Sequence, residues 1–296
     1  MVRLSPITRL FPVIASAPFR VAPENAQDLA MQIDARDISL EFVDDPTVLA
    51  EYSVAKRLVR LGVPFLEALW SAAHVYIVAF HEYQAAQRIG ERFFELGKAK
   101  RVADAYILYR HFLEATAARQ SAEWPKDASR PIRYPFEHSD GHLANEMFLV
   151  AVAWIMHHEI AHARLDHEEE SAVSKLQESD ADRAATQWVC AGEREQLPLY
   201  KRAMGMVSAV VFLLALDLRM GRLTSTTHPP SFERLIKNIE TTGLGENELV
   251  FAFAFVLVDI HIASEKLPGE IDREGSFQDM CVSACLLLHG LSRAEG

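Results

Sequence analysis

The stretch Ile155–His167, IMHHEIAHARLDH, holds four histidines and decides how the chain around it must fold. Within it, His158, Glu159 and His162 form the pattern HExxH. On an α-helix, residues four apart share a face, so both imidazoles can reach one ion from one rigid element. Glu159 lies one step round the helix and can meet a water molecule bound to that ion. The stretch therefore predicts a helix that carries half of a metal site.

A chance match is the alternative, since a short motif alone is only a hypothesis. The surrounding pattern argues against chance, because Met147, Ala151 and Trp154 precede the two histidines at helical spacing. Two imidazoles on an otherwise apolar face would be costly to bury without a shared partner. A metal ion is the partner that the pattern favours.

The third ligand is predicted on the next helix, in QESDADRAATQW (177–188). Glu178 and Asp182 are four residues apart, so Glu178 can bind the ion while Asp182 accepts a hydrogen bond from a ligating histidine. A catalytic zinc site takes three protein ligands and one water, so Zn²⁺ is the expected metal. His167 falls one residue short of the third histidine of the HExxHxxGxxH class, and we expect it on an exposed turn. The alternative is that the acidic residues of 178–182 form a solvated face.

The segment STTHPPSFERL (225–235) adds a histidine before a helix that begins near two prolines. His228 is a candidate donor to the oxyanion of a tetrahedral intermediate. Arg234 is a candidate anchor for this loop or for the substrate. A plain turn histidine is the alternative for His228.

The rest of the chain predicts a mostly α, compact fold. Residues 1–45 are expected to form an irregular segment with a short strand at ISLEFV (38–43), and residues 46–296 a helical domain whose active core spans about 140–240. In the core, the HExxH helix should pack against the ExxxD helix in antiparallel fashion. Further helices are expected at 47–62, 64–90 and 100–120 and at intervals to the end of the chain. We also consider PIRYPFEH (131–138) as an edge to which an extended peptide could add.

Composition narrows the class of protein. The 296 residues carry a net charge of −11, which argues against nucleic acid as the main partner. The three cysteines form no CxxC pair, so a reducing compartment, and hence the cytoplasm, is expected. The apolar runs at 204–216 and 249–258 are shorter than the roughly 20 residues of a membrane span, and no span is expected. The oligomeric state is left open.

Taken together, the motifs resemble those of the gluzincin metallopeptidases. HExxH, then Glu178-Ser179-Asp180-Ala181-Asp182, then Thr227-His228-Pro229 with Arg234, is similar to the HtpX and CAAX-prenyl-protease family. The short interval between HExxH and Glu178, and the lack of membrane spans, make the chain more similar to the Lit-type phage-exclusion peptidases. That resemblance covers mainly residues 140–240. It implies cleavage of a host translation elongation factor in response to a phage signal.

The sequence thus predicts a zinc-dependent endopeptidase that acts on a protein or peptide substrate. His158, His162 and Glu178 would hold the ion, and Glu159 would act as general base and then general acid. Two alternatives stay open: a membrane-associated, HtpX-like quality-control protease, and a helical interaction protein that zinc merely stabilises. The presence of Glu159 favours an enzyme, because a structural zinc site has no use for a base.

Overall fold

The computed structural model describes residues 5–91, 99–165, 167, 175–222, 229–265 and 269–294. Within them lie ten α-helices and three β-strands. In chain order these are α1 (Phe11–Val21), α2 (Ala26–Arg36), β1 (Ser39–Val43), β2 (Ala50–Ser53), β3 (Leu58–Gly62), α3 (Val63–Arg88), α4 (Lys100–Ala117), α5 (Asp140–Arg164), α6 (Lys175–Cys190), α7 (Gln196–Met220), α8 (Ser231–Thr241), α9 (Leu249–Glu265) and α10 (Phe277–Ala294). The predicted mostly α fold is confirmed.

The core is built around three long helices, α3, α5 and α7, whose central turns are buried on every side. A helix that is apolar all round is stable only inside a large core. The α5–α7 contact is close at Gly205, where a Cβ atom would lie 2.4 Å from Val150 Cβ. Phe65 of α3 packs against Phe212 of α7 with ring centroids 5.5 Å apart. The helix that carries HExxH is thus held rigidly along its length.

Two of these helices, α3 and α7, are long and apolar enough to cross a membrane by length and composition. Core helices of water-soluble proteins meet the same test, so this is weak evidence for a span. The apolar window of α3 is completely buried by protein, and 72% of that of α7 is buried. Packing in the core accounts for their composition.

The N-terminal part differs most from expectation. Two helices, α1 and α2, precede β1, so the first 45 residues are more regular than predicted. The predicted strand at 38–43 is present as β1. The predicted helix at 47–62 is wrong, because these residues form the hairpin of β2 and β3. Cross-strand packing, including the Arg60–Glu51 ion pair at 2.7 Å, outweighs the helical spacing of the apolar residues.

The three strands form one sheet in the order β1-β3-β2. Strand β1 pairs with β3 in parallel, and β2 pairs with β3 in antiparallel fashion. Strand β2 is therefore an edge strand, and it lies against α5. This contact brings the N-terminal sheet beside the HExxH motif.

Candidate metal centre

Three side chains of α5 and α6 meet at one point. The Nε2 atoms of His158 and His162 are 3.2 Å apart. The carboxylate of Glu178 lies 3.2 Å from His158 Nε2 and 3.5 Å from His162 Nε2. These three residues are the one group of three or more potential metal ligands found in the part of the chain that the structure describes. They could hold a single metal ion.

The antiparallel packing of α5 and α6 produces this arrangement. Three rungs connect the helices, each one turn from the next: Trp154 with Thr186, His158 with Asp182, and His162 with Glu178. Because residues four apart share a helix face, a step of four along α5 matches a step of four back along α6. Ala181 and Ala185 are fully buried on α6 and let the two helices approach. The sequence prediction of an HExxH helix packed on an ExxxD helix describes this geometry.

Behind His158, Asp182 and Arg234 form a buried chain of charges. Asp182 Oδ1 lies 2.8 Å from His158 Nδ1, and Arg234 donates two hydrogen bonds to the Asp182 carboxylate at 2.7 and 2.8 Å. Burial alone would raise the pKa of Asp182, but the charge of Arg234 and the contact with His158 hold it well below its usual range. Asp182 thus stays ionised and can accept a hydrogen bond from the ring N–H of His158.

The contacts with Asp182 and Glu178 also change the pKa of His158. Burial alone would lower the pKa of His158, but the carboxylates of Asp182 and Glu178 raise it to about 10. A site that stabilises positive charge this strongly favours a cation, whether a proton or a metal ion.

Glu159 faces the other way, towards the N-terminal sheet. Burial and then the nearby Glu178 charge raise its pKa to about 7, although His158 and a hydrogen bond from the backbone N–H of Tyr52 oppose the rise. The register explains the contact with Tyr52. The backbone N–H of Gly62 in β3 donates to the carbonyl of Leu49 at 2.8 Å, so alternate residues of β2, Ala50 and Tyr52, direct their N–H and C=O groups away from β3. A carboxyl group with a pKa near neutrality suits proton transfer.

The remaining histidines of the motif region have different roles. His157 points away from the site and lies 3.4 Å from the carbonyl of Pro18, and burial lowers its pKa to about 3.

His167 was expected on an exposed turn, and this is wrong: it is half-buried, with Nδ1 2.9 Å from Nδ1 of His162. The acidic residues around it suggested solvent exposure, whereas the chain folds back at the end of α5, where the His167 N–H bonds the His162 carbonyl at 3.0 Å.

Two other predictions concern the downstream and upstream segments. His228 lies outside the described residues. Arg234 is described, and its partner is Asp182, a contact that the sequence reasoning did not foresee.

The segment 131–138 contains turns and no strand, and it precedes α5. From Asp140, the first residue of α5, to Glu159 the helix spans about 28 Å at 1.5 Å per residue, so this segment is too remote to be a substrate edge for the site.

Sequence reasoning also missed the contribution of β2, because residues 47–62 were interpreted as a helix. A signal was present in Leu58–Gly62, where Val59 and Leu61 are buried on either side of the half-buried Arg60. Alternation of this kind is typical of a strand.

Comparison with known proteins identifies the family of this chain. A family profile described as Peptidase U49 matches residues 59–254, more than half of the chain. The chain is similar to a protein named "Cell death peptidase" from Escherichia coli (strain K12), with 32% identity over 276 residues, which cover 91% of this chain and 93% of that protein. No solved structure matches. The family and this relative are both described as peptidases, and neither description names a metal.

Proposed function

We propose that this chain, which belongs to the peptidase U49 family, is a zinc-dependent endopeptidase. The observation that carries the proposal is the spacing of the ligand atoms: the two histidine Nε2 atoms are 3.2 Å apart, and the two oxygens of Glu178 lie 3.2 Å from His158 Nε2 and 3.5 Å from His162 Nε2. Zinc bonds of about 2.0–2.1 Å in tetrahedral geometry put ligand atoms roughly 3.3–3.4 Å apart. The spacing of His158, His162 and Glu178 matches that distance.

The protonation states also fit a metal ion. If His158 carries its proton on Nδ1, facing the ionised Asp182, its Nε2 presents a lone pair to His162 and Glu178. Lone pairs and a carboxylate that converge in a buried site repel one another unless a cation lies between them. Two imidazoles and one carboxylate, with one position left for water, are a donor set typical of catalytic zinc.

In the proposed mechanism, a bound zinc ion would acidify a water molecule and polarise the scissile carbonyl. Glu159 takes the proton of the attacking water and passes it to the leaving amine. The N–H of Tyr52 orients the Glu159 carboxylate for both transfers. Asp182 and Arg234 do not touch the metal or the substrate; they hold the His158 ring in the orientation that metal binding requires. We assign His228 the role of oxyanion donor from its place in the sequence.

An extended substrate has a natural place along β2. The N–H and C=O groups of Ala50 point away from β3 and can offer main-chain hydrogen bonds, and the nearby Tyr52 contacts the proposed base through its N–H. Addition of a strand to an exposed edge is a recurring mode of peptide recognition. It would place a peptide bond of a protein substrate beside Glu159.

The resemblance to Lit-type peptidases suggests the biological target. It implies a host translation elongation factor as substrate and phage infection as the trigger. The name of the Escherichia coli relative, "Cell death peptidase", is consistent with a protease that acts on its own cell. We extend this role to the present chain, together with a cytoplasmic location, which the three buried, unpaired cysteines support.

Two other functions are less well supported. A zinc-stabilised interaction protein would not need Glu159, whose pKa is raised to about 7 beside the ligands. A membrane-associated protease rests on α3 and α7, which are largely enclosed by the protein. Solubility of the full chain without detergent would distinguish an enzyme that works in solution from a membrane-associated protease.

The direct test is to map new protein N-termini in cells that express the wild type or Glu159→Gln. We expect a small set of N-termini that depends on Glu159. Identical maps for the two proteins would contradict the proposal.

A further inference from the structure

A cavity of about 350 Å³ opens beside His162. Its wall is formed by the end of α2, the β2–β3 hairpin and the end of α5. The side chains relevant here are Arg36, Tyr52, Arg57, His162 and His167. The cavity therefore touches a proposed zinc ligand and the residue whose N–H contacts Glu159.

The cavity carries positive charge from Arg36 and Arg57. In a chain of net charge −11, other arginines such as Arg60, Arg202 and Arg234 are paired with carboxylates. Among the residues that the structure describes, no carboxylate lies within 4.0 Å of the guanidinium of Arg36 or Arg57. Arg36 donates through Nε to the carbonyl of Ala163 at 3.3 Å, which leaves its other N–H groups for a ligand.

A third arginine, Arg164, directly follows Ala163, whose carbonyl accepts the hydrogen bond from Arg36. Arg164, the last residue of α5, stacks on Trp188 with its Cζ 4.4 Å from the ring centroid. Among the described residues, none of these three guanidinium groups has a carboxylate within 4.0 Å, and such a group of cations can bind an anion that arrives from outside.

We propose that this cavity is a substrate subsite that takes the acidic side chain of an Asp or Glu close to the scissile bond. The inference rests on the proposed peptidase function and gives it a substrate class. Arg guanidinium groups bind carboxylates through paired N–H donors, and the volume is sufficient for one such side chain.

The geometry favours a side chain within the polypeptide over a chain terminus. Tyr52 lines the cavity, and the edge of β2 continues past it to Ala50. A peptide whose scissile bond lies at Glu159 continues on both sides of that bond, so a residue in the middle of a chain can fill the cavity. A terminal carboxylate is the other source of the same chemistry, and the test includes it.

The hairpin offers a matched pair of variants. Arg57 lines the cavity and is exposed, whereas its neighbour Lys56 is on the same turn and does not line it. Arg57→Gln and Lys56→Gln remove the same charge within one residue of each other. Arg57 has a φ of 50°, and Gln adopts that conformation no more easily than Arg, so backbone strain stays similar.

The experiment measures binding to the Glu159→Gln protein, which does not depend on turnover. The probes are positional-scanning peptide mixtures with both ends capped, and parallel mixtures with a free C-terminus. We expect capped mixtures with Asp or Glu fixed at one position to bind about three- to tenfold more tightly than those with Gln or Lys there. Arg57→Gln should abolish that preference, and Lys56→Gln should keep it.

Three results would overturn the subsite: no acidic preference, an equal loss in both variants, or an Arg57-dependent preference seen only with free C-termini. A second assay separates this inference from the proposed function. If the wild type cleaves no peptide that Glu159→Gln leaves intact, the peptidase proposal fails, and the binding result still decides whether the cavity takes acidic side chains.

Discussion

The two histidines of the HExxH motif occupy different halves of the site. His158 belongs to an inner half, with Asp182 and Arg234, where all three side chains are less than 10% exposed. His162 belongs to an outer half, with His167, Tyr52 and the cavity between α2 and the β2–β3 hairpin. One half is closed by charges that compensate one another, and the other is open to a ligand. His158 and His162 lie on the same face of α5, and we propose that the inner half mainly retains the metal while the outer half also recognises the substrate.

The energetics of the halves differ accordingly. Loss of one partner from a buried ion pair typically costs about 3–5 kcal/mol, because the other charge is left without compensation. Exposed cations such as Arg57 contribute little to folding, so a substrate can use them without cost to stability. Variants of Asp182 should therefore act mainly on metal affinity, and variants of Arg57 mainly on substrate preference.

The largest effect is expected for Glu159, which lies between the halves. Glu159→Gln should lower kcat/KM by about 10²–10⁴-fold, because the amide fills the space and cannot carry a proton. Zinc content and the thermal midpoint should match the wild type. Cleavage of a confirmed substrate within tenfold of the wild-type rate would show that another group is the base.

His228 tests whether the segment before α8 reaches the substrate. His228→Ala should reduce kcat by roughly 10²–10³-fold, as for other oxyanion donors, with zinc retention unchanged. If the histidine instead fills the open zinc position at rest, the variant should be more active. A variant that matches the wild type in both rate and zinc retention would exclude His228 from the site.

Asp182 is the sharpest probe of the inner half. Asp182→Asn keeps the shape of the side chain and removes its charge, so His158 loses its ionised partner. Zinc affinity, measured by competition with a chelator, should fall about 10–100-fold together with activity. Unchanged zinc affinity in a folded variant would contradict the role assigned to the Asp182–Arg234 pair.

The smallest effect is expected for His167, the counterpart of Asp182 on His162. A neutral imidazole stabilises a ligand histidine less than a carboxylate does. His167→Gln should therefore weaken zinc affinity by less than about tenfold, below the range expected for Asp182. A loss equal to that of Asp182→Asn would remove the distinction between the two halves.

The inner half was largely predictable from sequence, and the outer half was not. Residues four apart on a helix share a face whatever the tertiary structure, so HExxH and the Glu178–Asp182 pair predicted two helices and their common face. The partner of Asp182 could not be read in this way, because Arg234 is 52 residues away and approaches from a third helix. Tyr52 and Arg57 reach the site through the pairing of β2 with β3 and the contact of β2 with α5, and Arg36 reaches it from the end of α2 through the carbonyl of Ala163. Such long-range contacts produce no periodic pattern of residues in the sequence around the motif.

The metal content of the purified protein tests the central claim most directly. The chain should be purified without added metal, as wild type, Glu159→Gln, His162→Ala and Glu178→Ala, and analysed for elements. The account predicts about one zinc per chain in the first two proteins and a large loss in the two ligand variants. Zinc well below one per chain in the wild type, unchanged by His162→Ala and Glu178→Ala, would contradict it.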